Sequence, residues 1–193
     1  MSNVITNPYN FAVAGGAGAY ELIDSQTSTG TNPFDEITFA DAVDFADYSE
    51  MYCTFALGTP LTRDVTFRIG SSSDGGVLTT SSYNFAKTTQ DEGTLVQQYV
   101  SGEPEFSLFT HPIVESQNGV SGYVRIFKIT AGDNDTFLQM SAFAQGTKAM
   151  YWCGGKNSTV NLSDLKYLSL IIASGSNELM ADSNMSCYKV KRS

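Results

Sequence analysis

The chain holds one histidine, His111, and Pro112 follows it. A single imidazole excludes multi-histidine metal sites and leaves one Ser–His or Cys–His dyad as the only nucleophilic chemistry to consider. No GxSxG elbow occurs, and Cys53, Cys153 and Cys187 stand in no nucleophile motif,. His111 is therefore expected in a loop. With no CxxC pair, the cysteines read as buried reduced thiols that pack as small hydrophobes. Asp133-Asn134-Asp135 clusters oxygens as a calcium loop does, but the further ligands and the terminal Glu are missing, so a hairpin turn is expected there. Gly15-Gly16-Ala17-Gly18 lacks the Lys-Ser/Thr and the preceding strand of a phosphate loop. Glycoside hydrolysis needs two carboxylates roughly 5–10 Å apart, and the acids are too scattered to nominate a pair. No catalytic residue, metal ligand or cofactor site is assigned, and a chain without enzymatic activity is expected. Trp152, beside Tyr151, could stack on a sugar ring. A buried aromatic at a strand end is the favoured reading of the two, which leaves Trp152 and Tyr151 as candidate glycan or partner contacts.

The elements that must carry these residues follow from composition. Of 193 residues, 16% are charged and 12% aromatic, while Ser and Thr number 22 and 19. Surface helices favour Glu, Lys and Arg, so this balance points to an ordered all-β domain. The formal net charge is −9, and nucleic-acid binding rests on clustered Lys and Arg, so nucleic acid is not an expected partner. Eight of the 20 acids fall in residues 1–50, where no Lys or Arg occurs. That acidic quarter is a docking face for a basic partner, a weak cation site, or a solvated edge that keeps the protein soluble, and the solvated edge is the expectation. The run FAVAGGAGA lacks the basic flank of a signal peptide. Apolar runs such as Leu168–Ala173 fall far short of the ~20 residues that span a bilayer. Synthesis in a cytoplasm without membrane insertion is expected.

Residues 1–18 are uncharged and show no sustained period. They read as an extended N-terminal arm, with Tyr9, Phe11 and Val13 as docking residues. Residues 19–193 read as one β-sandwich domain. Val65, Phe67 and Ile69 alternate with Thr66 and Arg68, and Met51, Cys53, Phe55 and Leu57 alternate with Tyr52, Thr54 and Ala56. Further strands are expected at Tyr20–Gln26, Asp35–Phe39, Tyr83–Lys87, Leu95–Val100, Glu105–Leu108, Gly122–Ile129, Thr136–Ala144, Lys166–Ala173 and Ser186–Lys191. In the last, Tyr188 and Val190 are expected to point inward. A helical turn is expected at Leu162–Leu165, and Asp41–Tyr48 could form another. Short strands with turn-punctuated spacing predict a two-sheet antiparallel, jelly-roll-like sandwich.

Six stretches carry a resemblance. Tyr20-Glu21-Leu22-Ile23-Asp24-Ser25-Gln26-Thr27 is followed by Ile37-Thr38-Phe39 and then by Tyr48 to Leu57. Val65–Arg68 and Ser73-Asp74-Gly75-Gly76 come next, with Ser82-Tyr83-Asn84-Phe85 after them. This order resembles a domain of bacteriophage virion structural proteins, of the marine and cyanobacterial phage type. The family's closing strand pattern is replaced here by Asn184-Met185-Ser186-Cys187-Tyr188-Lys189-Val190. The resemblance implies a jelly-roll-like module on the virion surface, made in the host cytoplasm and commonly a homotrimer. Its partners would be other virion proteins, of the capsid or the tail. The expected function is a capsid decoration, cement or head-fibre module docked through its arm. The alternative is a tail-fibre or adhesin-type module that recognises a host glycan.

Overall fold

Side chains that alternate between apolar and polar must part to opposite faces of an extended chain, and this alternation carries the protein into sheets. The computed structural model describes residues 20–28, 36–39, 48–58, 65–71, 83–91, 93–107, 119–127, 136–144, 149–159, 165–172 and 182–191. They form β1 (Tyr20–Thr27), β2 (Glu36–Phe39), β3 (Tyr48–Gly58), β4 (Val65–Ser71), β5 (Tyr83–Asp91) and β6 (Thr94–Glu103). Then follow β7 (Phe106–Ser107), β8 (Gly119–Phe127), β9 (Thr136–Ala144), β10 (Ala149–Asn157), β11 (Leu165–Ile172) and β12 (Asn184–Lys191). The described residues contain strands and no helix.

Two antiparallel sheets result. One has eight strands in the order β1-β12-β3-β8-β9-β10-β5-β6, and the other has four, β2-β11-β4-β7. The expected all-β sandwich is the fold observed. Its core lies between the sheets, where Phe55 of β3 meets Phe67 of β4 with ring centroids 5.5 Å apart. Phe85 of β5 meets Phe106 of β7 at 5.0 Å. Tyr83 ties the sheets by a polar link as well: the Ile69 backbone N–H donates to its hydroxyl at 2.7 Å. At about 4.8 Å per strand, eight strands are twice as wide as four. The long sheet therefore overhangs, and both faces of β6 are exposed.

Three expectations are corrected. Cys53 and Cys187 are not reduced thiols but form a disulfide, because the sheet order sets β12 beside β3 and places the two residues opposite one another. Cys153 alone stays a free, buried thiol. The phase of the last strand is reversed. Met185 and Cys187 are fully buried, while Tyr188 pairs with Tyr52 on the face turned away from the core. Lys189 takes the Cys187 side and reaches Glu21 at 3.1 Å. Third, Trp152 does not stand at a strand end but lies within a complete strand, Ala149–Asn157. The helical turn at Leu162–Leu165 lies outside the described residues except Leu165, which opens β11, and of Asp41–Tyr48 only Tyr48 is described, in β3.

Burial makes stability pH-dependent. It pushes the Tyr83 phenol well above its ordinary value. It also pushes the Cys153 thiol up to about 12, against a smaller lowering by Lys87. Both groups stay neutral in the folded chain, whereas unfolded Cys and Tyr ionise near roughly 8.5 and 10. The unfolded state therefore loses its protons first, and stability falls as pH rises through that window. Melting temperatures measured from about pH 8 to about pH 10.5 are expected to decline steadily. A flat profile would contradict this assignment.

Candidate functional site

The face of the eight-stranded sheet turned away from the core carries the groups with chemistry to offer. Antiparallel register lines them up in rows across the strands. One row runs Arg125, Gln139, Gly154, Ala86 and Tyr99, from β8 through β9, β10 and β5 to β6. The flanking row on one side holds Phe127, Phe137, Lys156 and Asn84. On the other side lie Tyr123, Ser141, Trp152, Thr88 and Gln97. Two very small residues, Gly154 and Ala86, thus sit between larger neighbours. The result is a groove of about 680 Å³.

Its walls are aromatic and polar together. Trp152 is 39% exposed and Tyr99 70%. Phe127 and Phe137 stack with centroids 6.1 Å apart. Between them stand Asn84, Thr88, Gln139 and Lys156. No carboxylate lines the groove among the described residues. Beneath it, β10 approaches β5 so closely that a Cβ on Gly155 would lie 2.3 Å from the Asn84 carbonyl oxygen and 2.3 Å from the Phe85 Cβ. Only glycine permits that approach.

At the β8 end the arrangement is held by charge. The Arg125 guanidinium donates to Glu50 through Nε at 3.2 Å and through Nη2. Its Nη1 donates to the Gln139 side-chain oxygen at 3.2 Å. The hydrogen bond to Glu50 holds the Arg125 pKa above its ordinary value. Gln139, which lines the groove, is thereby held on its β8 side. At the other end the Gly102 backbone N–H donates to the Asn84 side-chain oxygen at 3.0 Å. Cys153, below the floor, donates to the Ser107 carbonyl oxygen and keeps its proton.

The structure separates the two aromatic candidates of the sequence. Trp152 is not buried but lines the groove. Tyr151 is 1% exposed and faces the core, because neighbours on a strand point to opposite faces. It is withdrawn as a contact. Tyr9, Phe11, Val13, His111 and Asp133 to Asp135 lie outside the described residues. Two acids of the acidic quarter have internal roles, Glu21 with Lys189 and Glu50 with Arg125. Sequence reading missed Asn84, Tyr99, Phe137, Gln139 and Lys156. They are scattered over 73 positions, and only the strand register brings them together.

No family model and no curated protein matches the chain. Among solved structures, it is similar to the marine PL-14 alginate lyase from Aplysia kurodai, with a TM-score of 0.37 and 10% identity over 76% of this chain and 70% of that one. It is also similar to a mutant of the alginate lyase Aly36B in complex with an alginate tetrasaccharide, with a TM-score of 0.29 and 11% identity over 81% and 80% of the two chains. Both are named as lyases, and the expectation of a chain without enzymatic activity is withdrawn.

Proposed function

We propose that the groove on the eight-stranded sheet binds a polysaccharide. The observation that carries this reading is the Gly154–Ala86 depression with Trp152 on one wall and Phe137, Lys156 and Asn84 on the other. Sugar rings present apolar faces, on which aromatic side chains stack, and hydroxyl edges, which amide, hydroxyl and ammonium groups satisfy. The groove crosses five strands, or roughly 19 Å at the spacing of a sheet, and so suits several linked rings better than a single sugar. Its volume falls within the roughly 300–1,000 Å³ of ligand sites.

The resemblance to phage virion domains supports a setting in which this face looks outward from a particle toward the glycans of a host surface. The Cys53–Cys187 bridge suits such an exterior place, where disulfides persist. In this reading residues 1–18 hold the module on the particle.

The test is a screen of surface polysaccharides followed by calorimetry on any ligand found. Trp152→Ala is expected to weaken binding about thirtyfold, since truncating an aromatic anchor costs roughly 2 kcal/mol. An affinity unchanged in this variant, with the circular dichroism of the parent, would remove Trp152 from the site.

A further inference from the structure

The two edges of the eight-stranded sheet are treated differently. β1 is guarded in the usual ways, with Glu21 and Asp24 on the strand and a register shift between Leu22 and Asp24,. β6 is guarded only at its far end, where its register with β5 shifts between Tyr83 and Phe85 and Glu103 closes the strand. It is ten residues long, and from Thr94 to Gly102 it carries no charge and no proline. Among the described residues it pairs with β5 only. Leu95, Val96 and Tyr99 are 59%, 44% and 70% exposed. A long, uncharged edge with exposed apolar side chains is a template for another strand.

We infer that β6 pairs antiparallel with β6 of a second copy of this chain, joining two sheets across a two-fold axis. Charge favours a second copy at this place: a chain of net charge −9 meets itself here along a neutral strand. Register favours it too. Residues directly opposite in an antiparallel pair share a face, so a two-fold pair must be centred on a residue. Centring on Gln97 sets Leu95 opposite Tyr99 of the partner subunit on the groove side, and does so twice. It thus matches the two most exposed large apolar side chains of the edge as an aromatic–aliphatic cross-strand pair,. Centring on Val96 or Gln98 leaves Tyr99 opposite Gly93 or Gln97.

The dimer completes the groove. Tyr99 ends the groove of one copy, and the axis places the second copy's leucine against it, so that the two grooves run into one continuous face. A closed two-fold dimer replaces the expected trimer in this inference, and it holds whatever ligand the groove takes.

Light scattering on the full chain at high micromolar concentration is expected to give twice the 20.8 kDa chain mass. A mass of one chain, or of three, overturns the inference. Val96→Lys, on the face away from the groove, is expected to yield a monomer with unaltered circular dichroism, and Gln98→Lys is the second such variant. Dimers that persist in both would overturn the use of this edge. Mild oxidation is expected to link Gln97→Cys chains into covalent dimers but not Gln98→Cys chains, and the reverse pattern would overturn the register. Glycan binding by the Val96→Lys monomer reads the groove separately from the dimer.

Discussion

A chain carrying Cys53→Ala and Cys187→Ala is expected to lose about 5 kcal/mol of stability, because the bridge closes a loop across 134 positions of sequence and so removes much freedom from the unfolded chain. In melting temperature this is roughly 10–20 °C for a domain of this size. The effect is large because of where the bridge lies. It joins β3, near the middle of the long sheet, to β12, which carries β1 on its other side. Both sulfurs are shielded, as Cys53 and Cys187 are 0% exposed, so reductant alone is expected to act only on the opened chain. The double variant should reproduce the melting curve of fully reduced protein. If oxidised, reduced and double-variant chains all melt at one temperature, the bridge makes no contribution.

Phe67→Ala is expected to cost about 3–5 kcal/mol, the range for removing a buried aromatic ring without refilling its space. Phe67 is 0% exposed and belongs to β4, in the middle of the four-stranded sheet. Its ring packs across the interface on Phe55, so truncation weakens the contact between layers more than either sheet alone. Denaturant titration should show the midpoint lowered and the slope kept, as for a loss of packing within the same fold. A loss under about 1 kcal/mol would mean that the sheets close over the gap. The ring would then not be the link between layers.

Much of the fold was legible in local pattern. Val65 to Ile69 alternate so cleanly that β4 follows from period two alone, and the Thr136–Ala144 strand has the bounds expected of it. β10 was hidden by Gly154-Gly155, since glycine is depleted in strands. Those same glycines make the groove and the close approach of β10 to β5, so the residues that obscured the strand are the ones that shape the site. The last strand misled for another reason. Tyr188 and Val190 have the bulk of core residues, whereas Met185 and Cys187 occupy the core.

Composition and alternation by themselves determined an all-β chain, the positions of most strands and the two-sheet architecture, because these depend on the period at which apolar side chains recur. Once β10 is a strand, Tyr151 and Trp152 must part company, but alternation is symmetric between the two faces of a strand. Which of them met the core was decided by the pairing of β10 with β9 and β5. The same long-range pairing brought Cys53 to Cys187 across 134 positions, and set Asn84, Tyr99, Gln139, Lys156 and Trp152 around one groove. Neighbours in a sheet are chosen by the order in which strands hydrogen-bond, and no local window of sequence contains that order.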